Sequence, residues 1–204
     1  MNQAVERAGG EYIYFLNCGD FFYDKDVLRR VEAEMRRIPQ DQNGEEGKAG
    51  RYIFYGDIYE RLTGERVASN PSMDAFGCYR NVPCHQACFY GKLLMEEKGF
   101  DTGYKVRADY EHFLWCFFRG EARTVYMPFL IADYEGGGFS ETRENRRISA
   151  AEHREITGKY MSAGQIFKYR AVMLLTLSRF RTWLAENKTT AHLYQKLKRR
   201  LYGR

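Results

Sequence analysis

A chain of 204 residues with 44% hydrophobic and 16% aromatic content can bury a core of domain size and is too apolar to belong to a disordered segment. Its net charge of +5 is concentrated near the C-terminus, where Glu186 is the only acid after Glu155, so the bulk pI does not argue for a nucleic-acid binder. No apolar run is long enough to cross a bilayer, and Met1 precedes polar and acidic residues unlike a secretory leader. The five cysteines lack metal-ligand spacing, because Cys84 and Cys88 have no second pair, and this predicts reduced thiols in a cytoplasmic protein.

The first element is the run Tyr12–Leu16, bounded by Gly10 and Gly19, which reads as a buried strand of the kind found in parallel sheets. Val27, Val31, Met35 and Ile38 then recur at helical spacing, with Asp24 or Asp26 as N-cap and Pro39 as the stop. Residues 40–50 form a polar surface loop. Arg51–Asp57 is a second strand ending in Gly-Asp, and the next segment is a hairpin around Thr63-Gly64. Ala87–Tyr90 is a strand. A short helix, a Gly-Phe-Asp turn and a helix over Ala108–Phe118 follow. Residues 124–134 are a further strand, and a glycine loop begins at Gly136. From Ile148 the chain reads as helical, with an apolar stripe through Ile166, Phe167, Met173, Leu174, Leu177, Phe180, Trp183 and Leu184 among basic residues. Strands alternating with helices give an α/β class, in which ligands bind beyond the carboxyl ends of strands.

Four places carry candidate chemistry. Asp20 follows a strand at a glycine, where it would hold a hard divalent cation or cap a turn. Asp109 opens a helix, either as a general base or as an acid favoured by the helix dipole; Glu111, two residues on, points to another face. His85 and Gln86 enter a strand and would bind a sugar or phosphate, with a metal-ligand or a structural role for His85 as alternatives. Asp57 ends the second strand and suits a structural or acceptor-side role.

The ordered set "GEYIYFLNCGD", "YGDI", "VPCHQACFY", "GFDTGYKVRADYEHFL" and "EGGGFS", over roughly residues 1–140, resembles the family 2 glycosyltransferases of GT-A fold, in particular the bacterial exopolysaccharide and O-antigen type. The resemblance implies a mixed sheet flanked by helices and an inverting transfer from a nucleotide-sugar to a saccharide or lipid-linked acceptor. It places the metal motif on Asn17-Cys18-Gly19-Asp20, with Asn17 and Gly19 at usually acidic positions and Asp20 holding Mn²⁺ or Mg²⁺. It makes Asp109 the catalytic base, and it puts Asn17, Asp57, His85, Gln86 and Glu111 along the substrate. The glycines Gly136–Gly138 would move over bound donor.

The family's nucleotide-binding half would precede Met1. The expected organisation is therefore the C-terminal portion of a transferase domain over residues 1–147, with a helical basic tail over residues 148–204. Such a chain alone is expected not to transfer sugar, and a non-catalytic remnant or sugar- or membrane-binding module is the alternative. The basic tail with its apolar stripe suits peripheral docking on an anionic inner membrane face. It carries no nucleic-acid motif, so no nucleic-acid partner is expected.

Overall fold

The structure is a computed structural model describing residues 1–37, 49–136 and 142–176. The expected Pro39 stop, nearly all of the polar loop, the glycines after Gly136 and the chain beyond Thr176 lie outside the described residues. The chain divides into two compact units, Met1–Tyr160 and Met161–Arg204.

The first unit is α/β. Its elements are α1 (Asn2–Arg7), β1 (Tyr12–Tyr14), β2 (Phe21–Phe22), α2 (Val27–Arg37), β3 (Tyr52–Glu60), β4 (Glu65–Val67), α3 (Ala75–Arg80), β5 (Cys88–Gly91), α4 (Lys92–Glu97), α5 (Ala108–Phe118), β6 (Arg123–Tyr134) and α6 (Arg143–Tyr160). The sheet order is β1-β5-β3-β6-β2, with β4 paired to β3. Among the described residues, β3 and β6 run parallel and the other strand pairs are antiparallel.

β1 therefore differs from the expected parallel strand. It lies at the sheet edge, with Tyr12 and Tyr14 half-buried on one face and Ile13 buried on the other. Tyr12 packs edge-on against Phe54 at 5.4 Å, and Tyr14 stacks on Phe89 at 4.5 Å and Phe22 at 5.1 Å. Rings of this size cover one sheet face while Ile13 is buried on the other, and an unbroken apolar run does not by itself fix whether the neighbouring strand is parallel. β3 is the strand with six consecutive buried residues. Phe54 and Ile58 meet Val27 and Val31 of α2 and Met127 and Ile131 of β6 in one core cluster. On α5, His112 packs edge-on against Tyr90 of β5 at 5.5 Å.

β3 continues past the Gly-Asp at which the sequence suggested an end. The β3–β6 register shifts between Tyr55 and Asp57, and again before Ile58. A Cβ on Gly56 would stand 2.6 Å from Ile131 and 2.7 Å from the Phe129 carbonyl, so only glycine admits this close approach. Pro128, which lacks an N–H, lies in the opposing bulge, where a strand proline is tolerated. Asp57 is thus mid-strand rather than terminal.

The hairpin expected at Thr63-Gly64 joins β3 to β4, with Gly64 at φ +69 and its N–H bonded to the Glu60 carbonyl at 2.8 Å. α6 begins before residue 148 and lies within the first compact unit, Met1–Tyr160. In the second unit, α7 (Ala163–Leu175) starts with a capping box between Ser162 and Gln165 and has no buried residue. Among the described residues, no helix is long and apolar enough to cross a membrane.

Candidate active site

The turn after β1 is fastened to the end of β6. The Asp20 N–H donates to the Asn17 carbonyl at 3.1 Å, closing a turn around Gly19 at φ +93. A side chain there would be strained and would collide with the Glu135 carboxylate. Asp20 is buried, and its Oδ1 accepts the Glu135 N–H at 2.9 Å. Phe21 and Phe22 pair with Asp133 and Ala132. Arg61 reaches Asp133 at 2.9 Å, donates to the Gly19 carbonyl and lies 5.4 Å from the Phe21 ring centre. Asn17 is exposed on this turn.

A second wall is the 3-10 turn His85–Ala87. The Tyr14 hydroxyl donates to the Gln86 carbonyl at 2.6 Å, and the Cys84 thiol donates to Gln86 Oε1 at 3.0 Å. Gln86 is thereby committed to holding the turn. His85 is buried against Phe15, stacked at 5.1 Å, and Phe100, edge-on at 5.6 Å; neither ring nitrogen has a hydrogen-bond partner. Burial pushes its pKa down, against the pull of the Asp109 charge.

The third wall is the start of α5. Asp109 is half-buried in its first turn, and its Oδ1 accepts the Tyr110 N–H at 2.7 Å. The entering loop is clamped by Glu152 of α6, whose carboxylate accepts the N–H groups of Lys105 at 2.8 Å, Val106 at 3.1 Å and Arg107 at 2.8 Å. Arg107 Nε donates to Ser149 Oγ at 2.7 Å, and its guanidinium lies 5.1 Å from the Tyr110 ring centre. Glu152 thus does from another helix what a local cap does for unpaired N–H groups.

Cys84 precedes the His85–Ala87 turn, and its thiol is bonded to Gln86 Oε1 at 3.0 Å. Burial pushes that thiol up to about 12, and the charges of Asp109, Asp20 and Glu60 push in the same direction. Asp20 and Asp109, 89 positions apart in sequence by their numbers, therefore act electrostatically on one point.

Two expected site acids are engaged elsewhere. Asp57 is fully buried and accepts from Arg66 Nε at 2.7 Å, the Ser69 N–H at 2.8 Å and the Tyr126 hydroxyl at 3.0 Å. Glu111 is also fully buried, bound by Lys98, Tyr160 and, at 2.7 Å, Lys159. Burial alone would raise the Glu111 carboxyl, but the hydrogen bonds from Lys159, Lys98 and Tyr160 hold it below its ordinary value. Both carboxylates join elements of the fold, and neither presents a free oxygen to a substrate. Glu152, Glu135 and Arg61 escaped the sequence reading. Each sits in ordinary helical or turn context, and only long-range pairing reveals its work.

Among the described residues, no group of three or more His, Cys, Asp or Glu side chains is arranged to hold a metal. Magnesium-like cations in phosphate chemistry are commonly held by one or two carboxylates, with substrate phosphates completing the shell. Asp20, with one oxygen on the Glu135 N–H and the Glu135 carboxylate against Gly19, fits that smaller donor set.

No family model matches the chain. It is similar to the PGL/p-HBAD biosynthesis glycosyltransferases of Mycobacterium bovis and Mycobacterium tuberculosis, at 34% identity over 145 residues, 70% of this chain and 52% of theirs. An uncharacterized glycosyltransferase of Mycobacterium tuberculosis is 27% identical over 149 residues, 71% of this chain and 52% of its own. The chain spans about half the length of the curated relatives it matches.

Proposed function

We propose that this chain forms the metal-binding and acceptor-side part of a family 2 glycosyltransferase of GT-A fold, which moves a sugar from a nucleotide-sugar to a saccharide or lipid-linked acceptor with inversion. The observation that carries this reading is the 2.6 Å bond from the Tyr14 hydroxyl, on the strand that leads to Asp20, to the Gln86 carbonyl beside His85, with the charges of Asp20 and Asp109 both acting on the adjoining Cys84; the similarity to glycosyltransferases over 70% of the chain supports it.

In this reading Asp109 takes the proton from an acceptor hydroxyl. The oxygen forms a bond to the anomeric carbon while the bond to the donor's diphosphate breaks on the opposite face. Asp109 suits the role because it is half-buried at a helix N-terminus, where an ionised carboxylate is favoured. Glu152 fixes the loop that aims it. Asp20, with Glu135 beside it, would hold Mn²⁺ or Mg²⁺. When bound, such a cation supplies charge stabilisation to the leaving diphosphate.

The partner surface proposed for the second unit is an anionic membrane on the cytoplasmic face. On α7, Phe167, Leu174 and Leu175 are exposed beside Lys168 and Arg170, and the sequence beyond is strongly basic. Apolar and cationic side chains on one helix are the ingredients of interfacial binding.

The decisive experiment is sugar transfer by an N-terminally extended form of the chain, assayed over a panel of nucleotide sugars. Transfer is expected, and Asp109→Asn should lower it by about 10²–10⁴-fold, the usual contribution of a general base, without loss of donor binding. Full turnover by that variant would remove Asp109 from the mechanism.

A further inference from the structure

His85 stands out from the rest of the molecule. Its side chain is about nine-tenths buried, at 8% exposure, and both ring nitrogens are without a hydrogen-bond partner. Buried polar groups are nearly always paired, because an unmet donor or acceptor loses its water and gains nothing in return. The neighbouring buried histidine shows the normal case: His112 Nε2 lies 2.8 Å from the Lys98 carbonyl. His85 instead sits among rings. Phe15 stacks on it, Phe100 meets it edge-on, and Tyr90 lies at 5.8 Å. Phe15 is the half-exposed ring of this set; Phe100 and Tyr90 are buried.

The surroundings narrow what would complete the imidazole. An anion such as phosphate is opposed by the Asp109 charge, which acts on this ring. A metal on the ring itself is not favoured, since Phe15, Phe100 and Tyr90 surround it with aromatic faces rather than ligands. A neutral imidazole has one N–H donor and one acceptor nitrogen, and a hydroxyl can play either opposite role. Aromatic rings around it suit the apolar face of a pyranose. Gln86, its sequence neighbour, has its side-chain oxygen and its carbonyl already occupied.

We infer that His85 is a specificity-determining residue that hydrogen-bonds a hydroxyl of a neutral sugar ring entering past Phe15, and that its unpaired nitrogens in the free protein are the vacant half of that contact. The identity of the sugar as the transferase acceptor rests on the function proposed above. The burial argument does not.

This assignment predicts an inverse relation between stability and binding. In His85→Phe the aromatic contacts remain and the unmet polar atoms are gone, so the 204-residue protein should melt at the same temperature or about 2–4 °C higher. Wild-type imidazole nitrogens, followed by long-range ¹H–¹⁵N NMR, should shift saturably on titration with methyl hexopyranosides. The variant should bind those glycosides at least about tenfold more weakly, the scale of one lost hydrogen bond. A fall of more than about 5 °C in the variant would show that the nitrogens already have structural partners and would overturn the assignment. So would unaltered glycoside binding by the variant, or the absence of any nitrogen shift in the wild type. In the extended enzyme, loss of turnover in Asp109→Asn with full turnover in His85→Phe would sink the His85 assignment alone. Unchanged turnover in both would sink the transferase mechanism itself.

Discussion

The carboxylate of Glu152, in the middle of α6, accepts the backbone N–H of Arg107 at 2.8 Å, two residues before Asp109. Lys105 and Val106 donate to the same side chain. The N-terminal end of α5 is thus held by a helix more than forty residues further along the chain.

Glu152→Ala should destabilise the fold by about 2 kcal/mol, since it strips a buried carboxylate acceptor from three backbone donors of a partly exposed loop. Glu152→Gln, which retains one acceptor oxygen, should cost less. Urea denaturation gives the ranking, and amide hydrogen exchange at residues 105–107 should accelerate in both variants. Exchange that speeds up only elsewhere would deny Glu152 this role.

Stability should fall as the solution is acidified from neutrality. Burial and then the Lys98 charge push His112 down from 6.5 to about 4, so the folded state holds it neutral. A group with a depressed folded pKa contributes stability that is complete above its unfolded pKa and is lost as pH falls towards the folded value. The window is therefore about pH 6.5 down to about 4, and the loss is on the order of 3 kcal/mol. Glu111, also held low, extends the loss in the same direction below its ordinary value of 4.5. Denaturation midpoints across this range check the slope, and His112→Phe should flatten its upper part. An undiminished slope in that variant would place the titration elsewhere.

Asp20→Asn separates charge from scaffolding. The amide oxygen can still accept the Glu135 N–H seen at 2.9 Å, so the melting temperature should stay within about 3 °C of wild type. Nucleotide-sugar binding to the extended form should weaken in Mn²⁺ and lose its sensitivity to chelator. Calorimetry showing unchanged, chelator-sensitive binding would move the metal ligand to another residue.

Vesicle co-sedimentation tests the second unit. Binding should require anionic lipid, weaken with added salt, and fall on removal of the residues after Lys188 or on Phe167→Ser with Leu174→Ser. Equal binding to neutral vesicles, or indifference to both changes, would exclude the membrane partner.

Local chemistry was legible in the chain. Thr63-Gly64 announced a hairpin because only a small set of residues accepts positive φ there. Residues 108–118 and 124–134 announced a helix and a strand because their side-chain periods differ. Gly19 next to Asp20 marked a turn at a strand end, and the two-residue spacing of Asp109 and Glu111 already required different faces. Pairing across the sheet and the fate of each charge were decided by tertiary structure. Tyr12 and Tyr14 read as buried strand residues whichever way their neighbour runs, and β5 makes the pair antiparallel. Whether Asp57 was structural or acceptor-side, and what Glu111 faced, was left to tertiary structure: Arg66, Ser69 and Tyr126 close on one and Lys98, Lys159 and Tyr160 on the other. For His85 the sequence left a sugar or phosphate contact, a metal ligand and a structural role all open. Its unmet nitrogens exist because Phe15 and Phe100, from distant parts of the chain, exclude water without offering a hydrogen bond. Periodicity and turn chemistry act between near neighbours and are written residue by residue, whereas desolvation and ion pairing depend on which distant side chains arrive.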